Sequence, residues 1–350
     1  MFGILRLCRI LPRTSAFCGA VAFLACIFPS WGLTIAPGKL NAANAVMEKI
    51  VASDYDGALT VCEALIRDDS TDPMGPMLKL AAIGLHDLDL DSATPSLDFN
   101  GAFIKCASVV DGYERLHGVS SYSLTVRGFA QATAAAYDLW RKKYFAGLDL
   151  GFDALAKLKE AKRLDFTNRD VDFFLGLYTY ARAEMKKTFW WAFFWYPGDK
   201  EEGIRKLAGC SVGSQFCRRA ATLVLGEVWY RENQFAESDS ISSGLLTLYP
   251  QSRLVRWTGA KRAEAAHSWA VAAENYRLLA DAYDSIPAAR RNWFLTRNKA
   301  AHMYFFAGNS ARSVRECQSI LNRSCAPDDA FCRQLADDAR KLKSRIMGSP

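Results

Sequence analysis

The sequence predicts an all-α fold: an α-solenoid of antiparallel helix pairs finished by a C-terminal capping helix. Three observations carry that expectation. Residues 219–252 read as a single 34-residue unit, a length at which helix-pair repeats recur. Within it Gly226 and Trp229 share one face of a first helix, and Asn233-Gln234 break the pattern. Phe235 then opens a second helix carrying Ser238, Ser242 and Leu245, which Pro250 closes. The same alternation of small and large residues returns elsewhere. The chain then ends in a charged amphipathic helix suited to covering the open end of a stack.

Taken in order, residues 40–53 form a first helix and 58–68 its partner, with Ala58, Cys62 and Leu65 in the slots that Ser238, Ser242 and Leu245 fill later. Asp72-Pro73 starts the next segment, with proline where its missing N–H costs little. Residues 76–87 and 100–117 make a less regular pair. Between them Asp87, Asp89, Asp91 and Asp98 form a partial calcium-loop pattern. It lacks the required glycine and sets Leu88 and Leu90 between the acids, so a helix end and a solvated loop are expected. Residues 122–143 and 148–163 form the next pair, after which Thr167 or Asn168 caps a helix over 171–187. Leu175-Gly176 with Tyr178 and Tyr180 restores the small-plus-aromatic face. Asp199 N-caps the following helix, and Glu202 is placed to complete a capping box. Residues 253–285 bring Trp257, Ala260, Ala263, Ala272, Tyr276 and Leu279 into register. Residues 293–320 turn at 307–309 and carry Ala301, Tyr304, Ser313 and Cys317. Residues 327–347 are the cap, with Leu335, Ala339, Leu342 and Ile346 on one stripe.

These units resemble the tetratricopeptide-repeat (TPR) family. The clearest are 39–72, 219–252, 253–286 and 293–326, within a repeat domain of 39–350, and Leu164–Asn168 resembles the family's repeat-ending LDPxN with phenylalanine in place of proline. The resemblance implies a solenoid that binds a protein or peptide partner rather than transforming a substrate, with no cofactor. On the inner helices Tyr230, Arg256, Trp257 and Arg262 are the partner-binding candidates, and Trp229 doubles as a packing residue of the motif.

Residues 1–32 read as an export signal: Arg6, Arg9 and Arg13 form a basic leader, residues 16–28 an apolar core, and Ser30-Trp31-Gly32 a small-residue cleavage site. Export to a periplasm or cell envelope follows. The alternative is an uncleaved membrane anchor through residues 16–36, since no charge falls between Ala16 and Gly38. Without the three leader arginines the formal charge of +7 falls to +4, too weak and dispersed to argue for nucleic acid. Cys210/Cys217 and Cys325/Cys332 share one spacing across a turn and a helix start, so an oxidising compartment is expected to close each as a small disulfide clip. The competing reading is buried thiols.

The one unusual segment is residues 189–196, in which seven of eight side chains are aromatic. Rings in that number are expected in the core, in a membrane interface or under a partner, and Trp190, Trp191, Trp195 and Tyr196 are candidates for partner binding. Residues 170–207 also distantly resemble some outer-membrane-associated tetratricopeptide proteins of eukaryotes, which set a greasy segment before a similar helix start.

Chemistry is sparse. His86, His117, His267 and His302 stand alone in helical segments, without a metal, nucleophile or phosphate-loop signature around them. No catalytic or metal site is assigned, and Glu201-Glu202 and Asp337-Asp338 point apart on their helices. The sequence therefore predicts a non-enzymatic exported scaffold for protein–protein interaction. The alternative is a membrane-peripheral adaptor or ligand-binding protein that uses residues 189–196 and an inter-repeat pocket.

Overall fold

The computed structural model describes residues 35–91, 98–188, 199–323 and 329–348. The export segment, the aromatic segment 189–196 with its four candidates, and Cys325 all lie outside them. Among the described residues the chain is helical throughout, with no strand. The pairs are α1 (Pro37–Val51) with α2 (Tyr55–Asp68), α3 (Met74–Leu90) with α4 (Phe99–His117), α5 (Ser121–Trp140) with α6 (Tyr144–Leu164), and α7 (Val171–Thr188) with α8 (Lys200–Gly213). They continue as α9 (Arg218–Arg231) with α10 (Phe235–Leu248), α11 (Arg253–Ala265) with α12 (Trp269–Asp284), and α13 (Arg290–Phe306) with α14 (Ser310–Asn322). The last helix, α15 (Ala330–Met347), follows alone. The all-α, TPR-like solenoid expected from the sequence is the architecture observed.

Five of the pairs turn by one device. The middle residue of a three-residue turn adopts a left-handed conformation: Ser53, Lys142, Asn233, His267 and Gly308, with φ of 62°, 63°, 59°, 55° and 74°. The next backbone N–H then reaches back to the carbonyl five residues earlier: Asp54 to Lys49, Lys143 to Asp138, Gln234 to Trp229, Ser268 to Ala263 and Asn309 to Tyr304, each at 2.8 Å. This bond satisfies a carbonyl the helix end would otherwise orphan and reverses the chain tightly enough for the two helices to touch. His267 therefore sits in a turn rather than inside a helix.

Each pair is closed by small residues. Ser238 Oγ donates to the Gly226 carbonyl at 2.8 Å, and Ser313 Oγ donates to the Ala301 carbonyl at 2.8 Å, the same bond two pairs further along. In the pair between them Ala260 and Ala272 fill the equivalent slots, both fully buried. α7 and α8 approach closely: a Cβ added to Gly203 would lie 2.7 Å from the Tyr180 backbone nitrogen. The links from one pair to the next also repeat. Asp69 and Asp165, at the ends of α2 and α6, each accept from the backbone N–H and hydroxyl of the threonine two positions on.

Some local expectations change. Asp199 does cap α8, accepting from Glu202 N–H at 2.8 Å, but the Glu202 carboxylate pairs with Lys206 rather than returning to the cap. Asn168, not Thr167, faces the start of α7, and its amide also donates to Thr125 Oγ1 at 2.9 Å. Asp87 and Asp89 are not in a solvated loop. α3 runs through Leu90 and both acids are buried, because each meets a partner from another helix. The Cys210–Cys217 clip is not formed. Both are free thiols: Cys210 faces the core from the end of α8, while the Cys217 N–H is held at 2.9 Å by the buried Asp170 carboxylate. Spacing alone cannot show where two thiols point. Cys332 is buried and its Sγ donates to Asp329 Oδ2 at 2.8 Å, while the Cys325–Cys332 pairing involves a residue outside the described ones.

Candidate binding site inside the superhelix

The first helices of the pairs stack side by side on the inner face. α1 packs on α3, α3 on α5, and α5 on α7, and α9 comes round to pack on α1. The N-terminal five pairs thus close a turn. Their second helices lie outside, so the five first helices surround a common centre.

That centre is an apolar cavity of about 280 Å³. Phe129, Phe173, Phe174 and Phe216 form one wall, with Phe129 edge-on to Phe174 at 4.7 Å and to Phe216 at 5.7 Å. Met47, Met77 and Leu85 line the opposite side, and Leu88, Ala136 and Trp140 form its rim. Few side chains in the lining are polar. The Tyr137 hydroxyl is engaged, donating to Asp87 Oδ2 at 3.0 Å, while its ring stacks on Phe99 at 3.7 Å. Burial, reinforced by Asp87, pushes the Tyr137 hydroxyl up to about 12. Burial likewise holds the Cys217 thiol well above its ordinary range. Tyr137 and Cys217 therefore stay neutral on this cavity.

The turn is locked by a polar junction between distant parts of the chain. Asp89, at the end of α3, is fully enclosed and holds Arg253 of α11 at 2.8 Å to Nε and 2.6 Å to Nη2. Tyr283 OH donates to the same carboxylate at 2.8 Å, and Asn292 Nδ2 donates to the Asp89 carbonyl at 2.6 Å. Ser252 Oγ donates to the Val51 carbonyl at 2.5 Å across 201 positions of sequence, and the Arg253 N–H donates to Ser53 Oγ at 3.0 Å. Burial works against the Arg253 charge, but Asp89 outweighs it and holds the guanidinium above its usual range. A buried pair of this kind fixes register more than it adds stability, because removing one partner strands the other.

Beyond α9 the inner face becomes charged. Glu227 of α9 meets Lys261 of α11 at 3.8 Å, Glu264 of α11 meets Lys299 of α13 at 2.7 Å, and His302 of α13 meets Asp338 of α15 at 2.8 Å. The candidates read from the sequence lie on this part. Tyr230 is half-buried near Glu227 and Glu264. Arg256 is half-buried and donates to the Pro250 carbonyl at 2.8 Å. Trp257 donates to Tyr283 OH at 2.8 Å and stands edge-on to Tyr276, so it also packs α11 on α12. Arg262 pairs with Asp239 of α10. The four have different partners, Arg262 on the outer α10 and Trp257 on α12, and do not converge on one point. Sequence reading missed the cavity and the junction. The available signal for the junction was Asp87 and Asp89 on a helix, MGPMLKLAAIGLHDLDL, that is otherwise nearly all apolar.

Among the described residues no group of three or more His, Cys, Asp or Glu is arranged to hold a metal ion. No described helix is long and apolar enough to cross a membrane.

No protein-family model matches the chain, and no curated protein matches it. Among solved structures it is similar to the C-terminal part of a TPR repeat-containing protein from Cytophaga hutchinsonii, with 12% sequence identity and a TM-score of 0.40 over 85% of this chain and 98% of that one.

Proposed function

We propose that the protein is an exported, non-enzymatic repeat scaffold that holds a protein or peptide partner in the cell envelope. The observation that carries this reading is the continuous inner face of stacked first helices, apolar around the closed turn and charged from α9 to α15. Such a face offers an extended partner both burial and charge pairing. The basic leader and apolar core of residues 1–32 support export. A photo-crosslinking residue placed in vivo at Tyr230 should give a discrete adduct, whereas one at Glu237 on the outer α10 should not. Adducts of equal yield from both positions would contradict a partner-binding inner face.

A membrane-peripheral variant has one observation in its favour. The turn and start of α6 expose Tyr144, Phe145, Leu148 and Phe152 beside the basic run Arg141-Lys142-Lys143, with Phe145 at 91% exposure. Aromatic and basic side chains together suit a lipid–water interface. Fractionation of the expressed chain separates the readings. A product truncated after Gly32 and freely soluble supports the scaffold, one released only by carbonate supports the peripheral variant, and a full-length wash-resistant product supports an anchor.

A further inference from the structure

We propose that the cavity inside the closed turn is a binding site for the hydrocarbon tail of a single-chain anionic amphiphile. Three features lead there, none of which depends on a protein partner. The first is volume. A dry cavity of ~150 Å³ lined by Leu, Ile and Phe holds a benzene. At about 280 Å³ this one has room for a chain of roughly ten carbons by proportion.

The second is composition. The lining is hydrocarbon and aromatic from five helices, with Met47 and Met77 supplying flexible thioether surface and the phenylalanines a fixed wall. Tyr137 spends its proton on Asp87, which leaves Thr133 as the only other hydroxyl side chain in the lining to meet a sugar or peptide group. A polar ligand would leave its own groups unpaired there, whereas an alkyl chain loses nothing. The lining comes from all five first helices, and its exposed Leu88 and Ala136 with the partly exposed Trp140 give a flexible chain a place to enter.

The third feature is the rim itself. Trp140 lines the cavity at the end of α5, and the Arg141 guanidinium lies 5.6 Å over its ring. Lys142 and Lys143 follow in the turn, both exposed, with Lys143 3.4 Å from Asp138. Arg141, Lys142 and Lys143 outnumber the one carboxylate beside them, Asp138, so a head group left at the Trp140 rim meets a net positive charge, and an anionic head is the chemistry that suits it.

The test is calorimetric titration of the soluble chain with straight-chain carboxylates from six to sixteen carbons, kept below their micelle concentrations. Expected is one saturable site whose affinity rises roughly fourfold per methylene and levels off near ten carbons, when the cavity is full. Ala220→Phe, which puts a ring into the cavity from α9, should abolish binding. Should that variant fold poorly, Ala81→Phe from α3 makes the same test. Lys142→Glu on the exposed turn should weaken decanoate several-fold while leaving decanol unchanged. A ten-carbon lysophosphatidylglycerol run in parallel identifies the head: tighter binding than decanoate points to a glycerophosphate, and weaker binding to a free carboxylate. No binding would overturn the proposal. So would affinity that climbs without levelling off, or binding indifferent to both cavity-filling variants.

Discussion

Burial sets the chemistry of the cysteines in the described chain. It pushes the Cys62, Cys106 and Cys210 thiols up to about 12 and Cys317 up to about 11, and none of these side chains reaches solvent. The thiolate is the reactive form, so these groups should be inert in the folded protein. A thiol reagent such as DTNB should label none of Cys62, Cys106, Cys210, Cys217, Cys317 and Cys332 in native buffer and all of them in denaturant. Native labelling of any of them, located by peptide mapping, would show that its surroundings open. Closeness of backbone is equally specific at residue scale. Gly203→Ala would set a Cβ 2.7 Å from the Tyr180 nitrogen and 3.0 Å from the Gly176 carbonyl. Forcing α7 and α8 apart should cost about 1–3 kcal/mol in urea unfolding. Gly244 on α10 has nothing within 4 Å of the same added atom, and Gly244→Ala should instead stabilise by about 0.5–1 kcal/mol.

At the scale of an element, the recurring turn explains why the pairs look alike despite unlike sequences. The left-handed position is filled by glycine only at Gly308. Elsewhere Ser53, Lys142, Asn233 and His267 accept a conformation that L residues disfavour. His267→Gly should therefore raise stability by about 0.5–1 kcal/mol, read from the denaturant midpoint, while a β-branched residue there should lower it. The sequence marks a turn at 54–58 as well, which the structure moves back to 52–54 with α2 starting at Tyr55, but it marks a left-handed position only at Asn233 and Gly308, because asparagine and glycine are the residues that favour one. Lys142 and His267 gave no signal, since the long-range packing of the pair, not local preference, holds them there. Helix existence and pairing were legible from the small residues: Gly226 with Ser238, Ala260 with Ala272 and Ala301 with Ser313 all sit where the helices touch. Direction was not legible. Cys210 and Cys217 have the spacing of a clip and are buried in the same core, yet both are free thiols.

For the whole molecule the decisive feature is that the first five pairs close on themselves. A periodic sequence specifies each helix pair and its neighbour, but superhelical curvature accumulates from small rotations that no single repeat encodes. That is why neither the cavity nor the junction that locks the turn was legible, although their residues sit in plain sight. Phe173-Phe174 reads as ordinary core until α1, α3, α5 and α9 are brought opposite. Asp87 and Asp89 read as solvated acids until Tyr137 and Arg253 arrive. The candidate partner residues Tyr230, Arg256, Trp257 and Arg262 were legible as positions on first helices, whereas the charged ladder of Glu227, Lys261, Glu264, Lys299, His302 and Asp338 beyond the apolar turn was not.

Closure makes a specific energetic claim, because Asp89 and Arg253 lie 164 positions apart and meet only if the turn is complete. The measurement that tests it most directly is a double-mutant cycle on Asp89→Ala and Arg253→Met by equilibrium denaturation. Each single change should cost about 3–5 kcal/mol by stranding a buried charge or its partner, and the double variant much less than their sum. The account predicts a coupling of about 2–3 kcal/mol. Single costs that simply add would mean that the two side chains do not meet in solution, and the closed turn would be contradicted.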